Sequence, residues 1–431
     1  MPQTRDLFFD EFYEELERVA GSVGADEDNA ESSPLLARDV QGVWNPYVHD
    51  PRKRPEPLIS VDGGVQFRNF AYGDFVSVGR ACALVHWPGR DRMLEKRVKL
   101  YVGEVYDERD RNFIPEYVRM ICEYDAARMA AERVLDAGGK PLVLLDGSLY
   151  FSRFPYAVRE YSHHAGLLAE LFSSMSSLRN LARDRGFPLV AVAKDSSVFY
   201  LYMELLRRAV RRSGLGRHQE LFDGASSPFD LKVKVEYLQE NDRKEIEPFL
   251  ERRPLCDTGL VKASTGSEGY TTPLYLAPTI YYARNGLPAL YSRINMALDR
   301  ELATTVKGAL ESFFASPGVL TSYWRPTLKA APFRVDILAS SLDHPEPWRL
   351  RERNFLLEEG MDTKPLERVL NHLGYWYCND VEYNVPLRQA DTLARFDRAL
   401  YTQKYEPFIV RRLEEAGRDV TGTRRMLREV G

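Results

Sequence analysis

The chain reads as an α/β protein: a mixed sheet flanked by helices. Three observations carry this. Strand-like runs alternate with long helical patterns along most of the sequence. Two of those runs, LISVD and LVLLD, are apolar almost throughout, as strands covered on both faces are. An early pair, VGRACALVHW and EKRVKLYVGEVY, alternates around the turn-rich PGRDR and makes an antiparallel hairpin.

Taken in order, the first 20 residues form an acidic amphipathic helix with Leu7, Phe8, Phe12 and Leu16 on one side. That side can dock a partner, although packing on its own core is the more usual fate. SVGADEDNAESSP then reads as a loosely held connector. PLISVDGGVQF looks like a buried strand ending in a glycine turn. A long helix from about Pro115 to Ala137 stops at Gly138-Gly139. PLVLLDGSLY is the second buried strand, and a helix from about His164 to Asp184 follows it. LVAVAK leads through Asp195-Ser196-Ser197, good N-cap chemistry, into the helix VFYLYMELLRRAVRR. Late in the chain, LYLAPTIYYAR, FRVDILAS and GYWYCNDVEY read as strands. A helix near Leu366–Leu373 and helices from about Gln389 complete the pattern. The expected organisation is an N-terminal helix and connector over 1–56, a first core part over 57–212, an insertion of mixed character over 213–286, and the rest of the core with C-terminal helices over 287–431.

Composition narrows the class. Of 431 residues, 44% are hydrophobic and 12% aromatic, enough for a substantial core. A formal charge of -4 argues against coating nucleic acid through bulk positive charge, but leaves room for a local basic channel. The four cysteines, Cys82, Cys122, Cys256 and Cys378, form no CxxC pair, so neither a zinc knuckle nor a disulfide framework is expected. With no signal peptide and no membrane-length apolar run, the sequence reads as soluble and cytoplasmic.

The chemistry concentrates in acidic residues. Asp62 and Asp146 close the two buried strands, each followed at once by glycine. Ligand sites of α/β sheets collect at carboxyl ends of strands. Two carboxylates there repel unless a cation separates them, the arrangement that holds Mg²⁺ or Mn²⁺. The alternative makes both of them turn or cap residues, since Asp-Gly is a common turn signal. Glu123 shares a helix face with Ala126, Ala127, Ala130 and Val134, a small apolar face suited to packing on the sheet. Glu132 follows Arg128 by four, an ordinary surface pair, and is the fallback ligand. Lys194 closes LVAVAK, where it can contact a phosphate or reach solvent.

VDGG, the inward glutamate, LLDGSL, AVAK with Asp-Ser-Ser, and YNVPLRQAD, in this order from about Pro57 to Leu400, resemble the NurA family of DNA end-processing nucleases. The resemblance implies an RNase H-like fold and Mn²⁺-dependent cleavage, with Mg²⁺ the other candidate ion. It also implies a 5′-to-3′ exonuclease with single-strand endonuclease activity, acting on single- and double-stranded DNA ends in double-strand break repair. The implied assembly is a homodimer docked on a HerA-type hexameric ATPase. By residue, it implies Asp62, Glu123 and Asp146 as metal ligands, Lys194 as a phosphate contact, and Tyr383 as the family's late tyrosine, able to stack on a base or hydrogen-bond. Asp391 falls where the family commonly has histidine; it can complete the metal site, or be a first-turn helix acid paired with Arg395. VDGG stands where VDGS is usual. The Arg334/Asp336 pair in FRVDILAS reads as structural. Two rivals stay open: a catalytically weakened DNA-binding or motor-docking subunit, and an actin- or sugar-kinase-like ATP-binding protein.

Overall fold

The computed structural model describes residues 9–23, 34–50, 57–151, 154–155, 158–225, 227–250, 254–276, 280–344 and 355–422. Its strands, in chain order, are β1 (Trp44–Pro46), β2 (Leu58–Asn69), β3 (Asp74–His86), β4 (Met93–Glu104), β5 (Leu142–Asp146), β6 (Leu189–Ala193), β7 (Gly269–Thr271), β8 (Leu274–Leu276), β9 (Val319–Arg325), β10 (Phe333–Leu338) and β11 (Phe355–Leu357). They form one mixed sheet in the order β1-β7-β9-β10-β6-β5-β2-β3-β4, with β8 pairing β9 and β11. The α/β expectation therefore holds. Only β2, β5 and β6 run parallel, and each of β5 and β6 is five residues of almost wholly buried chain.

The strand at LISVDGG does not end in a turn. β2 continues straight through Gly63-Gly64 to Asn69, paired with β3 along its whole length. Its partner β5 stops, because the parallel register runs Leu58–Val61 against Leu142–Leu145 and no further. The next residue on each strand is an aspartate. Asp62 and Asp146 are thus neighbours by register, one inter-strand spacing apart.

The two glycines that mimic a turn allow close approach instead. A Cβ on Gly63 would meet Glu123 Oε1 at 2.7 Å; one on Gly64 would meet the Ala394 carbonyl at 2.8 Å. Successive strand residues face opposite sides of a sheet. Two helices therefore press on β2 from opposite faces. One is Asp110–Asp136; the other is Val385–Ala394.

The helices of the first half are α1 (Phe9–Val23), α2 (Pro34–Val43), α3 (Asp110–Asp136), α4 (Val158–Arg185) and α5 (Tyr200–Arg212); α2 stands where only a connector was expected, and α3 starts before Pro115. α3 buries Glu123, Ala126, Ala127, Ala130 and Val134 together, the face its spacing selects. α4 starts earlier than expected and kinks at His164. α1 carries Phe12 and Leu16 exposed to solvent, so these two do not pack on the core; Leu7 and Phe8 lie outside the described residues. Most of the acidic connector, residues 24–33, lies outside them as well.

Three local expectations are overturned. Asp195-Ser196-Ser197 does not cap α5. Its first free N–H groups, on Leu201 and Tyr202, donate instead to the buried Asp257 carboxylate at 3.0 and 2.8 Å. LYLAPTIYYAR splits into β8 and the start of a helix, Ile280–Ala297. GYWYCNDVEY contains no strand: the helix Lys364–Trp376 runs into it and irregular chain follows. There the 3–4 spacing of Leu366, Val369, Leu370 and Leu373 outweighs the β-propensity of Tyr375, Trp376 and Tyr377. Residues 213–286 open with short helices, then supply β7 and β8 to the main sheet.

The turn after β5 is fixed from β10. Gly147 adopts φ +107°. The fully buried Asp336 then accepts hydrogen bonds from the Ser148 hydroxyl at 2.6 Å, the Leu149 N–H at 3.1 Å and the Tyr150 N–H at 3.3 Å. Arg334 donates to the same carboxylate at 2.9 and 2.7 Å, and Thr321 at 2.8 Å. Truncating Asp336 to alanine strands the buried guanidinium and frees the turn. We expect a loss of about 3–5 kcal/mol, read as a lower urea midpoint at unchanged slope. A midpoint within error of the parent would show that the pair does not hold the turn.

Candidate functional site

Asp146 is the hub of the site. Its Oδ1 accepts a hydrogen bond from the Tyr383 hydroxyl at 2.8 Å, and its Oδ2 lies 3.3 Å from Lys194 Nζ. Lys194 sits just beyond β6, its side chain half exposed, with Nζ 5.3 Å from the centre of the Tyr383 ring. That ring is buried, stacked on Phe333 at 5.5 Å. It has no open face for a base, so the expected stacking role is not available to it; its hydrogen bond is. Burial first, and then the charge on Asp146, push the Tyr383 phenol far above its usual range and keep it a donor.

Asp62 stands beside Asp146 with 8% of its surface exposed. Its Oδ1 accepts the N–H of Gly63 at 2.7 Å. No cationic side chain among the described residues pairs with it. Burial, followed by the charges of Asp146 and Glu123, raises its carboxyl to about 7. Asp391 adds to this pressure from the helix Val385–Ala394. That helix is latched to the sheet. Arg80 of β3 donates to the Ala394 carbonyl at 2.7 Å and to the carbonyl of Arg395, which satisfies the open C-terminal turn. Its guanidinium also lies 4.2 Å over the Phe396 ring. Asp391 is in the second half of the helix, not its first turn, and forms the expected pair with Arg395 at 2.9 Å.

Glu123 reaches the site from the other face of β2, through the gap that Gly63 leaves. Burial pushes its carboxyl up to about 7, although Arg119, one turn earlier on α3, donates to it. Arg119 also donates to Glu116 at 2.8 Å. Glu132 lies elsewhere on α3, part exposed and paired with Arg128 at 2.6 Å. Between α3 and the turn after β5 is a cavity of about 130 Å³, lined among others by Glu116, Arg119, Glu123, Asp146 and Ser148.

The structure thus brings together Asp62, Asp146, Tyr383 and Lys194, with Glu123 and Asp391 bearing on them from opposite faces. Sequence reasoning missed Arg119 and Glu116, although E-x-x-R-x-x-x-E spacing on a helix signals such a chain. It also missed His218, Asp242 and Glu245, whose ligand atoms lie within 4.8 Å of one another in the short helices of the middle segment. That group already holds a cation: Arg217 donates to His218 Nε2 at 3.0 Å and to Glu245.

A buried aspartate of elevated pKa, crowded by other carboxylates and without a cation of its own, suits a divalent cation, since hard ions take oxygen ligands. A family model, the NurA domain, matches residues 56–396, four fifths of the chain. The chain belongs to the NurA family. It is therefore a member of a nuclease family of DNA end processing whose enzymes depend on metal. No curated protein and no solved structure matches it. Membership removes the actin- or sugar-kinase-like alternative. The glycine at position 64, where the resemblance led to the expectation of serine, has a packing reason in its close approach to the Ala394 carbonyl.

The Asp62 shift has a thermodynamic sign. A carboxyl raised from 3.8 to about 7 by folding costs stability above pH 7, and the cost fades as pH falls toward 4. In EDTA, Asp62→Asn should stabilise the protein at pH 8 by on the order of 1–4 kcal/mol, with no gain near pH 4. Thermal melts at both pH values check this; a destabilised variant at pH 8 would contradict it.

Proposed function

We propose that this chain is a divalent-metal-dependent DNA nuclease whose ion, Mn²⁺ or Mg²⁺, is held by Asp62 and Asp146, with Glu123 and Asp391 completing the set. The observation that carries this is Asp62: a buried carboxylate, beside a second one, without a cation of its own. A divalent ion bound there supplies Lewis-acid polarisation of a phosphodiester and a water able to attack at neutral pH. The remaining work falls to the chain. Tyr383 fixes the rotamer of Asp146 by donating to it. Lys194 can turn its exposed ammonium to a phosphate oxygen and stabilise the charge that grows during in-line displacement. Asp391, a carboxylate in the family's histidine position, can bind the ion but cannot donate a proton as an imidazolium does.

The finer features rest on the family resemblance: an RNase H-like core, 5′-to-3′ polarity with single-strand endonuclease activity, double-strand break repair, a homodimer on a HerA-type ATPase, and a cytoplasmic site of action. Two observations are compatible with them. All four cysteines are free. No described helix is long and apolar enough to cross a membrane. For motor docking, α1 offers Phe12 and Leu16 exposed. Removing residues 1–23 should therefore cut co-purification with the ATPase at least tenfold; unchanged recovery would dismiss α1 as the dock.

A second reading, a weakened subunit that grips DNA without cutting, is favoured by Asp391 alone. Digestion of 5′- and 3′-labelled linear and single-stranded DNA with Mn²⁺, Mg²⁺ or EDTA separates the two. Asp62→Asn and Asp146→Asn should each lower metal-dependent cleavage more than a hundredfold while the far-UV spectrum stays unchanged. Full activity in either variant would remove the metal assignment; inactivity of the parent chain with both ions and its motor would favour the second reading. Since Asp62 and Glu123 are both raised toward 7, Mn²⁺ binding should release protons and tighten between pH 6 and 8. Calorimetry in buffers of different ionisation enthalpy measures this, and pH-independent affinity would contradict it.

A further inference from the structure

We propose that Arg119 is the resident second cation of this site, so that the carboxylate cluster takes one divalent ion and not two. The inference rests on the metal-nuclease reading and adds to it. Its basis is the way positive charge is already distributed. Asp146 has Lys194, Asp391 has Arg395, and Glu123 and Glu116 share Arg119. Only Asp62, among these acids, is left over.

Arg119 is built in as a fixed part, not a loose surface side chain. Its stem packs against the backbone of β2: a Cβ on Gly63 would come within 3.1 Å of its Cγ. Its head bridges two glutamates, one turn away on each side along α3, and its side chain is three-quarters covered. The charge of Glu123 first, then those of Glu116 and Asp62, hold the guanidinium firmly protonated. A planar fork that binds two carboxylates at once is the geometry an arginine offers and a lysine does not.

The two faces of β2 therefore differ. On the α3 face, where Glu123 approaches, positive charge is supplied by the protein. On the opposite face Lys194 reaches Asp146, but Asp62 has no cationic partner among the described residues. A second divalent ion on the α3 face would have to displace a hydrogen-bonded guanidinium from between two glutamates. Arg119 thus holds Glu123 in place and neutralises it.

The test counts Mn²⁺ ions. Full-length chain carrying His218→Ala, which disables the separate group in the middle segment, is titrated with Mn²⁺ at pH 8 by calorimetry and by the spin-resonance signal of free Mn²⁺. The equivalents that Asp146→Asn removes are those of the site. One equivalent is expected in this background and in Arg119→Lys; two are expected in Arg119→Gln, whose fold is checked by thermal melting. Two equivalents with Arg119 intact would overturn the inference and leave the nuclease reading standing, as would one equivalent of unchanged affinity in folded Arg119→Gln. Were Arg119→Gln not to fold, the count with Arg119 intact would by itself decide between one ion and two. No Mn²⁺ uptake sensitive to Asp62→Asn or Asp146→Asn would end the metal reading itself, and this inference with it.

Discussion

The register of two parallel strands governs this molecule. Because Val61 pairs with Leu145, the residues that follow, Asp62 and Asp146, are set side by side whether or not a cation is present. Burial first, and then repulsion between carboxylates so placed, raise the Asp62 carboxyl. The fold tolerates the arrangement because each other acid nearby has been given a partner. Tyr383 and Lys194 hold Asp146, Arg119 holds Glu123, and Arg395 holds Asp391. What remains unbalanced is a single carboxylate, Asp62.

Rigidity around that point comes from groups that never touch it. The Arg334–Asp336 pair lies on β10, two strands from β5, yet Asp336 receives the hydroxyl and N–H groups of the turn that begins right after Asp146. Arg80 on β3 grips the end of the helix that carries Asp391. Both supports use buried or stacked guanidinium groups, whose several donors tie two chain segments at once. The pair on β10, read from sequence as structural, is so, and it fixes the turn that follows Asp146.

Much of this was legible from residue order. Asp62 and Asp146 stand out because each follows an apolar strand, and the choice of Glu123 over Glu132 follows from three-and-four spacing along α3. The glycines after Asp62 mislead because a turn and a close approach both demand a missing side chain, and only the position of α3 and of Ala394 tells them apart. Asp257 was invisible as a cap because it acts on a helix more than fifty residues earlier, across a contact that no local pattern encodes. Ile280 to Arg284, and Tyr375 with Trp376, are helical where strands were expected, for another reason. Aromatic residues favour strands only where a sheet edge is offered to them. At Tyr375 and Trp376 the helix led by Leu366, Val369, Leu370 and Leu373 took the chain first, and Tyr377 to Tyr383 follow it as irregular chain.

The two departures from the family pattern meet at one place. A serine at position 64 would bring its Cβ to 2.8 Å from the Ala394 carbonyl, so a chain with serine there must hold the helix Val385–Ala394 further from β2. Glycine lets that helix close on the strand. Aspartate is shorter than histidine, and a shorter side chain at 391 needs its helix nearer if its head is to bear on the same ion. Gly64 supplies the approach and Asp391 uses it. Serine at 64 alone would bring the helix into collision with the strand, and glycine removes that collision. On this view Gly64 does not argue for a decayed site, since packing accounts for it. The charge of Asp391 bears on Asp62 across the close helix–strand contact that Gly64 permits.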